Sequence, residues 1–319
     1  MRKYLFLIGG LSVILVGIIA APAAAQYISV PGVSTHAQGA GMAVGDLDGN
    51  GRPEMILMAY HHAKEGNTFR YKVGKDLAPD GTATSWGQVF EVAGVGKEAL
   101  GAGAAMGDIN ANKKLDLVFM AYEKNLFRYR VGWDLDANGI ASSWSDVVEV
   151  EGVGDLAEGA GAALGDIDGN GRPELVLMAY DSPEGPNTFR YRIGWNINPG
   201  AVTNNWTGEI IPGVSEVAEG AGIGVIDLDG DGVPEIVLMG TQKQKGNNPI
   251  RYKIGWKLSA AAKTQNWKQV DEPTMGTDFQ GADMAFWDML GNGKPEMILM
   301  VYQREKNGNT FRYRVTGLR

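Results

Sequence analysis

Cysteine is absent from all 319 residues, and histidine occurs only three times. The first absence removes disulfides, thiolate nucleophiles and thiolate metal sites. The second leaves His36, His61 and His62, too few to build a repeated Ser-His-Asp or Cys-His set. Positive charge is scarce, 29 Lys and Arg against 37 Asp and Glu, and a formal charge of −8 argues against a nucleic-acid partner. Beyond the first 25 positions no apolar run is long enough to span a bilayer. Glycine, by contrast, is abundant at 46 residues with 13 prolines, which implies sharp turns at regular intervals.

The N-terminus is set apart. Met1-Arg2-Lys3 is a short basic start, "YLFLIGGLSVILVGIIA" is apolar and uncharged, and "APAAA" places Ala23 and Ala25 in an A-x-A arrangement. This is the pattern of a leader, residues 1–25, cleaved before Gln26. The alternative is an uncleaved anchor, since the run approaches the roughly 18 to 20 residues needed to span. Both readings place the remaining chain outside the cytoplasm: secreted, periplasmic or at the cell surface. Losing Arg2 and Lys3 takes the charge from −8 to −10. Residues 26–319 are then expected to form a single domain, held together without disulfides.

That domain repeats itself. "GDLDGNGRPE" at 45–54 returns as "GDINANKKLD", "GDIDGNGRPE", "IDLDGDGVPE" and "WDMLGNGKPE". The first acid of each falls at Asp46, Asp108, Asp166, Asp227 and Asp288, spacings of 62, 58, 61 and 61. A period near 60 fits one four-stranded sheet per repeat. In the third unit "GAGAALGDI", "ELVLMAY", "NTFRYRIGW" and "WTGEIIPGV" are strand-length segments bounded by Gly, Asn, Pro or Asp. Small residues in the first segment suit strands crowded around an axis, and the second is apolar on both faces because sheets stack on either side. The expected fold is therefore all-β, a five-bladed β-propeller of four-stranded antiparallel blades. The fifth unit stops after its third strand at "NTFRYRVTGLR". "YISVPGVSTHAQGAG" at the other end matches "VVEVEGVGDLAEGAG", so the N-terminal strand is expected to complete the last blade and close the ring.

In the repeated loop, oxygen side chains fall at positions 1, 3, 5 and 9, with a backbone carbonyl available at 7. The first loop offers Asp46, Asp48, Asn50, Arg52 and Glu54. The second has Asp108, Asn110, Asn112, Lys114 and Asp116, and the third Asp166, Asp168, Asn170, Arg172 and Glu174. The fourth has Asp227, Asp229, Asp231, Val233 and Glu235, and the fifth Asp288, Asn292, Lys294 and Glu296. Alternate residues of a tight turn converge on its concave side, and a hard cation taking six to eight oxygens is Ca2+. An EF-hand is excluded: position 12 is Leu57, Phe119, Leu177, Leu238 or Leu299, and a strand follows, not a helix. Ordinary Asp-Gly and Asn-Gly turns are the alternative, but a turn needs one or two such residues, not four at fixed offsets. About three strong sites are expected. Lys113 replaces the turn glycine of the second loop and Leu290 occupies a ligand position in the fifth, leaving two weaker or empty.

The pattern D-x-D-G-N-G-x-P-E followed by "LVLM" resembles the FG-GAP and VCBS repeats, known from the calcium-loop blades of integrin α-chain propellers. The resemblance covers about residues 27–319 and implies export, calcium at the loop positions just named, and a binding role. Five units in place of seven sets the chain apart from the integrin type.

The third strand carries Arg70-Tyr71, Arg128-Tyr129, Arg190-Tyr191, Arg251-Tyr252 and Arg312-Tyr313, with Trp133, Trp195 and Trp256 downstream. Aromatic faces stack on sugar rings and Arg bonds hydroxyls, so these residues are candidates for a multivalent glycan site. Alternating aromatics are also how stacked sheets pack. Gln38, Glu158, Glu219 and Gln280 share a slot near the channel mouth that Leu100 breaks, and bonding the glycine-rich connection is their alternative role. No catalytic constellation emerges. The function expected is non-catalytic binding of extracellular or cell-surface glycan. A protein-interaction or adhesion module, or a surface-assembly subunit, is the second reading, and a polysaccharide hydrolase or lyase the third.

Overall fold

The structure is a computed structural model describing residues 27–154, 156–181, 187–203, 205–214, 217–243, 248–306 and 308–317. The leader at 1–25 lies outside the described residues, as do parts of the loops after the second strands of units three, four and five. Among the described residues every regular element is a strand, and no helix is long and apolar enough to cross a membrane.

Each unit opens with an inner strand: Ala37–Gly45, Gly101–Gly107, Ala157–Gly165, Ala218–Ile226 and Phe279–Trp287. The second strands are Glu54–His61, Asp116–Glu123, Glu174–Asp181, Glu235–Gln242 and Glu296–Gln303. The third are Thr68–Lys75, Leu126–Trp133, Thr188–Gly194, Ile250–Trp256 and Thr310–Thr316. Pairing is antiparallel throughout. In unit three Gly161 faces Met178, Met178 faces Tyr191, and Tyr191 faces Glu209.

The outer strand is continuous in units three and four, Trp206–Pro212 and Asn266–Glu272. In units one and two it is in two pieces, Ser85–Trp86 with Phe90–Ala93 and Ser143–Trp144 with Val148–Glu151. Three residues there (87–89, 145–147) oppose two on the partner strand (72–73, 130–131). The break is a bulge, an extra residue that leaves both flanks paired. Unit five takes its outer strand from the N-terminal side: Ile28–Pro31 pairs with the third strand, Ile28 opposite Tyr313 and Pro31 opposite Thr310.

Packing explains the small residues. A Cβ added to Gly159, Gly220 or Gly281 would lie 2.6, 2.6 or 2.5 Å from the backbone nitrogen of Ala221, Ala282 or Ala40, and Gly39 and Gly101 stand equally close to Ala102 and Ala160. Each inner strand thus touches the next, and the fifth touches the first. The second strands are buried along nearly their whole length, both faces at once. Apolar clusters such as Met178, Phe189 and Tyr191 with Ile223, Ile236 and Leu238 fill the space between adjacent sheets.

Two polar devices tie the sheets together. A tyrosine near the end of the second strand holds the connection to the next unit. Tyr60 Oη accepts from Val95 and Gly96 N–H and donates to Gly96 O, and Tyr302 does the same for Ser34. A third-strand cation reaches the end of the preceding outer strand. Lys72, Arg130, Arg192, Lys253 and Arg314 donate to the carbonyls of Pro31, Ala93, Gly152, Pro212 and Pro273.

Candidate functional site

The acidic loops join inner to second strands, so all five lie at the same end of their sheets. In loop one Asp46 accepts from the amides of Gly49 and Asn50 on Oδ1 and of Gly51 on Oδ2, while Asn50 Oδ1 accepts from Arg52 N–H. Loop three repeats this, with Asn170 N–H on Asp166 Oδ1, Gly171 N–H on Oδ2 and Arg172 N–H on Asn170 Oδ1. The position-1 aspartate therefore winds the turn around itself. At Gly51 the turn needs φ of 84°, and in loop two Lys113 takes 71° at the same place, with Ala111 at 58°. An L side chain in that region is strained by roughly 1–2 kcal/mol.

Position 9 is different in kind. Glu54, Glu174 and Glu235 are almost fully buried at the start of the second strand. Glu54 accepts from Leu47 N–H on Oε2 (2.8 Å) and from Asp76 N–H on Oε1 (3.2 Å). Asp116 does the same in loop two, from Ile109 and Asp134, and Glu296 takes Met289 N–H in loop five. Burial raises the carboxyls of Glu54, Asp116 and Glu235 above the ordinary range. Glu174 is pushed up to about 7 by burial first and then by the like charges of Asp168 and Asp166.

Three loops bring three carboxylates together, one oxygen from each within 4.8 Å of the others. The sets are Asp46, Asp48 and Glu54; Asp166, Asp168 and Glu174; and Asp227, Asp229 and Glu235. The donors are all hard oxygens, the chemistry a divalent cation such as calcium takes. Loops two and five hold the same backbone turn on Asp108 and Asp288, with two carboxylates each. Leu290 stands 60% exposed where loops one, three and four have aspartate.

A residue just past the third strand belongs to each of the first four loops, and sequence reasoning missed it. Asp76, Asp134, Asn196 and Lys257 all adopt positive φ, 46° to 56°. Asp76 accepts from Asn50 Nδ2 at 2.8 Å and Asp134 from Asn112 Nδ2 at 2.6 Å. In loop four the residue is a lysine, and Lys257 Nζ bonds Asp231 Oδ2. Asp231, the fourth carboxylate, is thereby paired with a cation, and the set brought together is Asp227, Asp229 and Glu235. The available signal was the recurrence of Asp, Asn or Lys directly after "VGK", "VGW" and "IGW".

The aromatic strand is placed otherwise. Tyr71, Tyr129, Tyr191, Tyr252 and Tyr313 are buried. The hydroxyls of Tyr71, Tyr129, Tyr191 and Tyr313 donate to the carbonyls of Gly139, Ala201, Ala262 and Gly81 in the neighbouring unit. As placed, these rings pack between sheets, and Tyr191 also lines a cleft between units two and three. Trp195 is buried with Nε1 on Thr207 Oγ1, and Trp133 and Trp256 are half-buried. The arginines are partly exposed and paired: Arg70 with Glu91, Arg128 with Glu123 and Glu149, Arg190 with Asp181, Arg251 with Asp271 and Arg312 with Glu305.

These arginines border clefts between sheets. One of about 550 Å3 between units two and three is lined by Asn125, Gly152, Arg190, Arg192, Trp206 and Glu209. Another of about 520 Å3 between units five and one is lined by the counterparts Asn309, Gly32 and Arg70, with Glu305. Gln38, Glu158 and Glu219 bond the connections, accepting from Ala99, Ala218 and Phe279 N–H and from the side chains of Asn67, Asn187 and Asn248. The histidines gather where unit one meets the N-terminal segment, with His61 Nδ1 2.9 Å from Ser34 Oγ and His36 Nδ1 3.0 Å from Thr35 Oγ1.

Residues 166–238 match the family model described as FG-GAP-like repeat. That stretch is similar to an FG-GAP-like repeat. The matched span includes loops three and four, two of the three that assemble a carboxylate set. No curated protein matches the sequence. Among solved structures, a variant of the Aleuria aurantia lectin in complex with alpha-methyl-L-fucoside is similar at a TM-score of 0.45 and 11% identity, over 87% of this chain and 78% of that one.

Proposed function

We propose that the chain is a calcium-stabilised five-bladed β-propeller, exported by its leader, that acts as a non-catalytic binding protein for extracellular or cell-surface glycan. Ring closure is supported by the contact of the fifth inner strand with the first and by the pairing of Ile28–Pro31 with Thr310–Thr316. The observation that carries the calcium reading is the same three-carboxylate set in three loops. In loop three a buried glutamate beside two aspartates is repulsive until a cation shares the charge. Calcium held there by Asp166, Asp168, Asn170, Glu174 and the Arg172 carbonyl would clamp the inner hairpin and bind the native state alone.

The glycan reading is supported by the clefts at equivalent seams, where guanidinium and amide groups sit beside Trp206 in one copy. Two or more such clefts would give avidity from weak individual sites. Calorimetric titration should count about three tight calcium ions. A glycan array read with and without chelator tests the ligand class: sugar-specific signal supports it, and silence on every sugar overturns it. The second reading, a protein-interaction module, is favoured by Leu100, Leu156 and Val217, exposed apolar residues at the end of the sheets opposite the loops.

A further inference from the structure

Apart from one bridge between Ala221 and Ala282, the inner strands pair only with their second strands, so their other edges turn backbone N–H groups toward the place where the five converge. A buried amide must find an acceptor. In four units the "GAG" run puts glycine at the centre of this edge: Gly41, Gly103, Gly161 and Gly222. The fifth has Asp283 at that position. Asp283 is fully buried. Its Oδ2 accepts from Met42 N–H of the first unit at 2.9 Å and its Oδ1 from Met284 N–H at 2.9 Å, and the amides of Ala104 and Ile223 also bond it. Met42, Ala104, Ile223 and Met284 occupy one position, directly after the central residue, in units one, two, four and five. One side chain therefore collects amides from four units of the repeat.

The structure assigns to this convergence an anion site built of backbone amides, occupied by the protein's own carboxylate, Asp283. The class of ligand it takes is a small monoanionic carboxylate. Burial pushes the Asp283 carboxyl well up, and the converging N–H groups oppose that push because they favour negative charge, as in other amide nests. The site has room for one occupant. A Cβ on Gly222 would fall 2.7 Å from Asp283 Cα and 2.9 Å from its Oδ1, so an aspartate in one unit requires glycine beside it. The acid also sits in the unit whose sheet is completed by the N-terminal strand, so the anion reaches the amides only when the last unit docks.

Two measurements test this on the full chain with calcium present. Amide hydrogen exchange by NMR should find Met42, Ala104, Ile223 and Met284 as protected as amides inside the ladders, although they lie on edges that no second strand covers. Rapid exchange at these four overturns the assignment. The second uses Asp283→Gly, which installs the residue of the other units. Sodium formate should raise its melting temperature by several degrees over sodium gluconate at equal ionic strength, while the parent chain shows no difference. A variant indifferent to formate overturns the assignment, and if it does not fold, the exchange result decides alone.

Discussion

Glu174 sits in an environment that opposes its charge. Because its folded pKa is raised to about 7 from 4.5, the metal-free protein binds a proton there that the unfolded chain releases earlier. The sign follows: this contribution to stability is fully present below about pH 4.5 and is lost as pH rises through about 7. Glu54, Asp116 and Glu235, also raised, act in the same direction. Chelator-treated protein should therefore melt lower at pH 8 than at pH 5.5, and Glu174→Gln should flatten that difference. Calcium must displace the proton, so affinity at loop three should fall by up to tenfold per pH unit below pH 7, read by titration at two pH values. Lys257 acts differently, as a tethered cation on Asp231. Lys257→Ala should tighten calcium at loop four by returning the fourth carboxylate, and unchanged affinity in a loop-four titration would contradict that. Carboxylate counting alone ranks loop four highest. The count was legible in the sequence, whereas the lysine, 26 residues from Asp231, was not.

Within single elements, the repeat made most of the architecture readable. Second strands such as "LVLMAY" announce burial on both faces, and "GAGAAL" announces crowding. Less readable were the bulges that divide the outer strands of units one and two, since they turn on one extra residue at 87–89 and 145–147. The tyrosines of "FRYR" were ambiguous for a physical reason. An alternating aromatic strand looks the same whether its rings meet a sugar or the next sheet, and only burial and hydroxyl partners such as Gly139 O distinguish the two. The connection clasps lend themselves to a clean test. Tyr302→Phe removes the oxygen that serves both Ser34 N–H and Ser34 O. Leaving those groups buried and unpaired should cost about 1–3 kcal/mol, measured by denaturant unfolding with the slope unchanged.

At the scale of the whole molecule, the proposed ring contains no disulfide, and the proposed calcium ions would serve as its cross-links. Each site held at a hundredfold excess over its dissociation constant adds about 2.7 kcal/mol. Chelation should lower the melting temperature steeply, and a chelator-insensitive melt would remove calcium from the account. The seam between Ile28–Pro31 and Thr310–Thr316 has a mechanical consequence. The two strands run antiparallel, Ile28 opposite Tyr313 and Pro31 opposite Thr310, so the polypeptide enters and leaves at the same corner. Force applied across the two ends would peel that ribbon one bond after another, not shear all its bonds at once. A molecule tethered at one end only never loads it.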